Sequence, residues 1–192
     1  MSADSRIVLA SASPRRVELL ALAGVDCRVI PADIVEDALE REQAADHVER
    51  LSREKAAAVA ARADGRFFIG ADTVVVLDGA ILGKPSDKEE ARRMLRSLSG
   101  RDHQVISGFT VLDREAGCAI TRSVSTQVRF KPLDAAEIEA YVASGCPMDK
   151  AGAYAIQGGA GHFVTSISGS FTNVVGLPMS EVYDALKEIG AI

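Results

Sequence analysis

The segment Ile7-Val8-Leu9-Ala10-Ser11-Ala12-Ser13-Pro14-Arg15-Arg16-Val17-Glu18-Leu19-Leu20-Ala21-Leu22-Ala23-Gly24 decides the fold class. Its first three residues are apolar and mostly β-branched, as a buried strand requires. Ser13 is a good N-cap and Pro14 a good first helical residue, because the proline ring pre-sets φ and gives up an N–H that would have no partner there. The apolar spacing then predicts a helix over Pro14–Ala23, ended by Gly24. A second strand follows near Cys27–Ile30. The chain therefore opens strand–helix–strand, which points to an α/β fold.

The alternation continues outward from there. Gln43–Ala63 carries Val48, Leu51 and Val59 on one stripe with charges elsewhere, the pattern of a long amphipathic helix. Phe67–Leu77 reads as one long strand or two abutting ones, and Asp78-Gly79 as a hairpin turn into Ala80–Leu82. Asp87 with Glu90, and Asp134 with Glu137, predict capping boxes for helices that run to about Leu98 and about Ser144. Between them, Gln104–Leu112 and Ala119–Phe130 are β-rich runs joined by polar residues around Asp113–Gly117, as in a large antiparallel hairpin. The Gly-rich stretch Ala151–Gly161 precedes a short strand at Phe163–Ile167, and Pro178 is expected in the first turn of a C-terminal helix. No repeat, linker or low-complexity tail interrupts residues 1–192, so a single domain is expected.

Composition bounds the function. A chain of 192 residues that is 47% hydrophobic can bury the core of one domain or of two closely fused lobes. Lys plus Arg total 22 against 27 for Asp plus Glu, and a net charge of −5 gives no electrostatic reason to bind nucleic acid. The expected partner is a small molecule. Cys27, Cys118 and Cys146 form no CxxC pair, and an odd count argues against a disulfide framework, so they read as reduced core thiols of a cytosolic protein. Met1–Arg6 is polar, and the apolar stretch that follows is too brief for a signal peptide or a membrane span, so a cytoplasmic protein without a membrane partner is expected.

Three features could carry chemistry. Arg15 and Arg16 in the first turn of a helix add positive charge where the helix dipole already supplies it. An anion should compensate them, and a phosphate chain suits the converging amides, hydroxyls and guanidinium groups of Ser11–Arg16; pairing with Glu18 is the bland alternative. Asp72 lies inside an apolar strand and must be paired, metal-bound or protonated. Lys55 falls on the apolar stripe of its helix, four residues after Leu51 and four before Val59, so its ammonium reaches inward or snorkels. Arg16 and Lys55 both sit where folding alone would not put them, so their removal is expected to spare stability. Lys84, Lys150, Glu36 and Asp37 lie at element ends or in a polar loop and are by default solvated. The region Gly79–Pro85 lacks the spacing and the Ser/Thr of a phosphate loop, and Gly158-Gly159-Ala160-Gly161 is no dinucleotide fingerprint. His47, His103 and His162 show no metal spacing and read as structural or surface residues.

Taken together, Ser11–Arg16, Gly70-Ala71-Asp72-Thr73-Val74-Val75, Gly83-Lys84-Pro85 and Leu98-Ser99-Gly100-Arg101-Asp102-His103 resemble the Maf family of nucleotide pyrophosphatases. Asp149–Gly158 and Asn173-Val174-Val175-Gly176-Leu177-Pro178 extend the resemblance over nearly the whole chain. It implies an α/β fold of two lobes around a mixed, bent sheet, similar to the inosine triphosphate pyrophosphatases of the Maf/Ham1-like group, with the substrate cleft between the lobes. It also implies hydrolysis between the α- and β-phosphates with a divalent metal cation, Mg²⁺ or Mn²⁺. On that resemblance Asp72 is the catalytic proton acceptor, and Glu36 and Asp72 hold the metal. Arg15, Thr73 and Gln157 match positions linked to substrate choice, while Ser11, Arg16, Lys55 and Lys84 match the other substrate-binding positions.

The segment Asp149–Gly158 is similar to that of the subfamily acting on dTTP and UTP, and the Gln157 carboxamide can both donate and accept, which suits the O4 and N3–H edge of uracil or thymine. Two other readings compete: a purine-directed house-cleaning pyrophosphatase, and a non-catalytic nucleotide-binding regulator of cell division. A homodimer stays open.

Overall fold

The computed structural model describes residues 6–192; Met1–Ser5, most of the polar start noted above, lie outside the described residues. Among the described residues the strands are β1 (Ile7–Leu9), β2 (Arg28–Val29), β3 (Phe67–Leu77), β4 (Ala80–Leu82), β5 (Asp102–Asp113), β6 (Cys118–Phe130) and β7 (Val164–Ser168). They hydrogen-bond in the order β2-β1-β3-β5-β6-β7, with β4 on β3. β1 is parallel to β2 and β3, whereas β3/β4 and β6/β7 are antiparallel, so the sheet is mixed. Phe67–Leu77 is one strand of 11 residues. The described residues sort into two compact units: those up to Asp72 with Ser107–Val124 and Gly176–Ile192, and Thr73–Ile106 with Ser125–Val175.

In the first unit, α1 (Pro14–Leu22) is the crossover between β1 and β2, as parallel strands demand. Val8 pairs with Arg28 on one side and Phe68 on the other. Helix α2 (Ala44–Ala60) buries Val48, Leu51, Ala56 and Val59, and its Ala56, Val59 and Ala60 pack with Val8, Ala10 and Phe68. The approach is unusually close at two glycines. A Cβ on Gly70 of β3 would stand 2.0 Å from the Ser52 carbonyl oxygen and 2.8 Å from the Ala56 nitrogen, and one on Gly108 of β5 would stand 2.5 Å from the Val48 carbonyl. Helix backbone therefore lies directly on strand backbone. The Ser52 hydroxyl, 2.8 Å from Thr110 Oγ1, adds a buried polar tie from α2 to β5. Helix α6 (Met179–Glu188) contributes Val182, Ala185 and Leu186.

In the second unit, Asp78 (φ 51°) and Gly79 (φ 81°) turn β3 into β4 with both residues left-handed, the requirement of a type I′ hairpin. Helices α3 (Lys88–Leu98) and α4 (Ala135–Ala143) bury Leu95, Leu98, Tyr141 and Val142 among Val75, Leu77, Phe130, Tyr154 and Phe163. Edge-to-face pairs order this core, with ring centroids 4.8 Å apart for Phe130–Tyr154 and 5.4 Å for Tyr141–Phe163. His103 Nε2 lies 2.7 Å from the Tyr154 hydroxyl, and burial pushes its pKa down to about 4, so it is a neutral core residue. A short helix, α5 (Phe171–Val175), was not anticipated.

Several local expectations change. Asp134 and Glu137 make the full reciprocal capping box. Asp87 accepts the Glu90 N–H, but the Glu90 carboxylate turns to the Ser86 N–H and hydroxyl, at 2.7 and 2.6 Å. Pro178 has ψ 88° and stands before the helix, which starts at Met179. The cysteines are not core thiols: Cys27 is partly exposed, and Cys118 and Cys146 are exposed. Cys118 begins β6 immediately after the turn at Gly117, and Cys146 opens a 3₁₀ turn after α4, so neither faces the packed side of an element.

Because the groups crowding position 70 are backbone atoms, Gly70→Ala should destabilise the protein by about 3 kcal/mol, the upper part of the overpacking range. Urea unfolding checks this; a midpoint equal to wild type would mean that α2 slides off the strand without resistance.

Candidate active site

The first unit gathers six of the candidate site residues, Ser11, Arg15, Arg16, Glu36, Lys55 and Asp72. The apolar stripe of α2 turns Lys55 toward β3, where it is 6% exposed and Asp72 is 8% exposed. The Lys55 ammonium donates to Asp72 Oδ1 at 2.7 Å and also lies 2.7 Å from Glu36 Oε1. It does not snorkel. The Asp72 carboxylate meets the requirement set by its apolar strand through this pair, and Glu36, whose side chain is 40% exposed, reaches the same nitrogen from the loop before α2.

The turn between β1 and α1 supplies the next part. Ser13 occupies the N-cap position, but its side chain makes no capping bond; the Ser11 hydroxyl accepts the Ser13 N–H at 3.2 Å instead. Arg16 points inward rather than to Glu18. Its Nη1 donates to Ser11 Oγ at 3.0 Å and to the Ala71 carbonyl at 2.9 Å, and its Nε donates to the Gly176 carbonyl at 2.8 Å. One guanidinium thus ties the first helical turn to the residue before Asp72 and to a segment 160 positions away. Burial pushes the Arg16 pKa down, the Asp72 carboxylate pulls it up, and the like charge of Arg15 adds to the lowering. Three cations and two carboxylates in one partly desolvated cluster can bind an anion, orient a water molecule or hold a metal.

The remaining expected residues belong to the second unit. Thr73 follows Asp72 in β3 and is half-buried, Lys84 is exposed after β4, and Gln157 is exposed in a turn. Lys150, expected to be solvated, bonds to the Cys146 carbonyl and to Asp149. Among the described residues no group of three or more His, Cys, Asp or Glu side chains is placed to hold a metal ion.

Sequence reasoning missed Glu42 and Arg50. Arg50 Nε and Nη2 grip the two Glu42 oxygens at 2.6 and 2.8 Å, and His47 Nδ1 adds a contact at 2.9 Å. An acid eight residues before an arginine, outside one helix, has no periodic signature, whereas His47, buried against Glu42, is the structural residue expected of it.

These partners overturn the expectation that Lys55 is dispensable for stability. Lys55→Met leaves the Asp72 carboxylate buried beside an apolar side chain, which should destabilise the protein by about 3 kcal/mol at neutral pH. Adding Asp72→Asn should recover part of that loss in urea unfolding, since no uncompensated charge remains at position 72. A Lys55→Met protein as stable as wild type would show that the pair contributes nothing.

A family model described as Maf-like protein matches residues 6–189. The dTTP/UTP pyrophosphatase of Geobacter sp. (strain M21) is 59% identical over 189 residues, 98% of each chain. That of Geotalea uraniireducens (strain Rf4) is 57% identical over 192 residues, covering 100% of this chain and 99% of its own. The Pelotomaculum thermopropionicum protein of the same description is 49% identical over 184 residues, 96% of each chain. Among solved structures, the Staphylococcus aureus Ham1 protein aligns with a TM-score of 0.47 and 16% identity over 65% of this chain and 71% of its own, too slight a similarity to argue from. Matched almost end to end by the family model and by relatives of this identity, the chain belongs to the Maf family.

Proposed function

We propose that this chain is a nucleoside triphosphate pyrophosphatase that hydrolyses dTTP and UTP to the monophosphate and pyrophosphate. It would act in the cytoplasm as one domain over residues 1–192, with a divalent cation as cofactor. The observation that carries the reading is the convergence of Asp72 and Glu36 on the Lys55 ammonium, each at 2.7 Å. The description dTTP/UTP pyrophosphatase, shared by full-length relatives, supports the pyrimidine preference.

Attack at the α-phosphorus needs an oriented water, neutralised phosphate oxygens and a stabilised leaving group. Asp72 takes the water proton as the water oxygen bonds to the α-phosphorus. The bond from that phosphorus to the oxygen bridging to the β-phosphorus then breaks, and pyrophosphate leaves with that oxygen. Lys55 fixes the direction of the Asp72 carboxylate and, with Arg15, Arg16 and Lys84, offsets phosphate charge; Ser11 adds a hydroxyl donor. Glu36 and Asp72 each meet the Lys55 ammonium through one oxygen, and carboxylate oxygens suit Mg²⁺ or Mn²⁺, hard ions often held by one or two carboxylates together with substrate phosphates. Glu36 and Asp72 would hold the ion, which when bound supplies further charge stabilisation at the phosphate oxygens.

Pyrophosphate release across dTTP, UTP, CTP, GTP and modified pyrimidine triphosphates, with and without Mg²⁺ or Mn²⁺, tests the reading. Turnover confined to purine nucleotides, or none at all, would overturn it. Asp72→Asn should lower turnover by about 10²- to 10⁴-fold, the usual contribution of a general base, while an amide oxygen still accepts from Lys55 and the fold persists. Near-normal release by that variant would remove Asp72 from the chemistry.

Gln157→Glu replaces a donor with a charge at the position proposed to read the base, so uracil O4 would face an acceptor. The expected result is a lower ratio of UTP to CTP or GTP turnover rather than uniform inactivation. An unchanged ratio would move base reading to Thr73 and Arg15.

A further inference from the structure

The segment that brings Glu36 to Lys55 runs from the end of β2 to the start of α2 and contains neither helix nor strand. Its first residues, Ile30 and Ala32, pack on the core of the unit, but the stretch around Glu36 lacks such packing, since Val35 and Leu39 are 73% and 59% exposed. That stretch is held by polar ties, one from α2 and one within the loop. Arg50 Nη2 donates to the Asp37 carbonyl at 3.0 Å, and Glu42 Oε2 accepts the Leu39 N–H at 3.1 Å. The two side chains that make these ties are locked to each other, with Arg50 holding the Glu42 carboxyl well below the usual carboxylate range. Although it sits in a segment that is largely exposed, the Glu42 side chain is only 8% exposed.

The Asp37 carbonyl closes the residue next to Glu36. Arg50 and Lys55 stand five positions apart on one rigid helix, roughly 7.5 Å along its axis. The Glu36 carboxylate is thus anchored at Lys55 while the backbone beside it is anchored at Arg50 on the same helix. A side chain 40% exposed would not by its own ion pairing order such a loop. Only arginine can do this work: Nη2 spends one hydrogen on Glu42 and one on the Asp37 carbonyl while Nε holds the second Glu42 oxygen, a fork that the single nitrogen of lysine cannot reproduce.

We propose that Glu42 and Arg50 are positioning residues for the reaction, a clamp that sets Glu36 against the Lys55–Asp72 pair; the proposal rests on the pyrophosphatase reading above. Neither residue touches substrate. Both act through Glu36, as partners behind a metal or phosphate ligand do, and losing such a partner lowers affinity or activity by about tenfold to a hundredfold.

The test uses the full chain and the variants Arg50→Met, Arg50→Lys, Glu42→Gln, Glu36→Gln and Arg50→Met combined with Glu36→Gln. Pyrophosphate release from UTP is titrated with Mn²⁺, and hydrogen exchange over residues 36–41 is followed without nucleotide. Arg50→Met should lower kcat/KM at limiting Mn²⁺ by about tenfold or more and speed exchange over 36–41, and Arg50→Lys should restore little of either. In the Glu36→Gln background, Arg50→Met should cause no further loss, because its effect runs through the side chain already removed. Additive losses, or full activity of Arg50→Met, would overturn the proposal. If Arg50→Met does not fold, Glu42→Gln decides: faster exchange with a several-fold loss supports the clamp, and wild-type behaviour refutes it. A wild-type protein that releases no pyrophosphate from any triphosphate would instead sink the pyrophosphatase reading, and unchanged exchange over 36–41 in the variants would refute the clamp independently.

Discussion

Helix α2 can lie on β3 only because residue 70 has no side chain. The Ser52 carbonyl occupies the space that a Cβ would fill, and this contact sets how far the helix stands from the strand. Lys55 follows Ser52 by three residues and Asp72 follows Gly70 by two, so the same contact brings the ammonium within 2.7 Å of the carboxylate. A helix pushed outward by a methyl group would lose the pair before it lost the apolar stripe, since a hydrogen bond tolerates displacement less well than dispersion contact does.

The charges that result are poorly explained by stability. Apolar residues of similar volume in place of a buried ion pair often stabilise as well or better, because both ions must give up water. The Lys55–Asp72 pair does satisfy its own charges once present, yet nothing in the packing of α2 required a lysine on its apolar stripe. Arg16 is similar: burial disfavours its charge, and two carbonyls and a hydroxyl accept its hydrogen bonds. A cluster that is a compromise for folding but well suited to an anion is what phosphate chemistry needs.

Glu36 illustrates how such a cluster is completed from a segment without regular structure. Loops carry functional groups when a rigid scaffold fixes them, and here the scaffold is α2 itself, through Arg50 at one point and Lys55 at another. The second unit contributes a different kind of order, an aromatic core around Phe130, Tyr154 and Phe163 with a neutral His103. That core supports the segment Asp149–Gly158, which ends close to Gln157, with Ala153 and Tyr154 buried in it.

Much of the site was legible in the sequence because its residues break local rules. A carboxylate inside Phe67–Leu77, a lysine on the stripe of Val48, Leu51 and Val59, and two arginines in the first turn after Ser13 each conflict with the periodicity around them. The strands and helices were legible for the complementary reason, that their residues obey it. What pattern could not supply was the partner of each charge. Arg16 bonds to carbonyls 55 and 160 positions away, Lys55 to a carboxylate 17 positions away, and Glu42 to an arginine outside its own element. Backbone carbonyls carry no residue identity, so no sequence feature marks Ala71 or Gly176 as acceptors. The burial of the cysteines was misjudged on the same ground: side-chain chemistry sets a preference for the interior, whereas the place of Cys118 after a turn and of Cys146 after a helix decides exposure. Short-range periodicity thus determined the elements and marked the anomalous charges, and only tertiary packing, through the helix-on-glycine contact at Gly70, decided which of those charges meet.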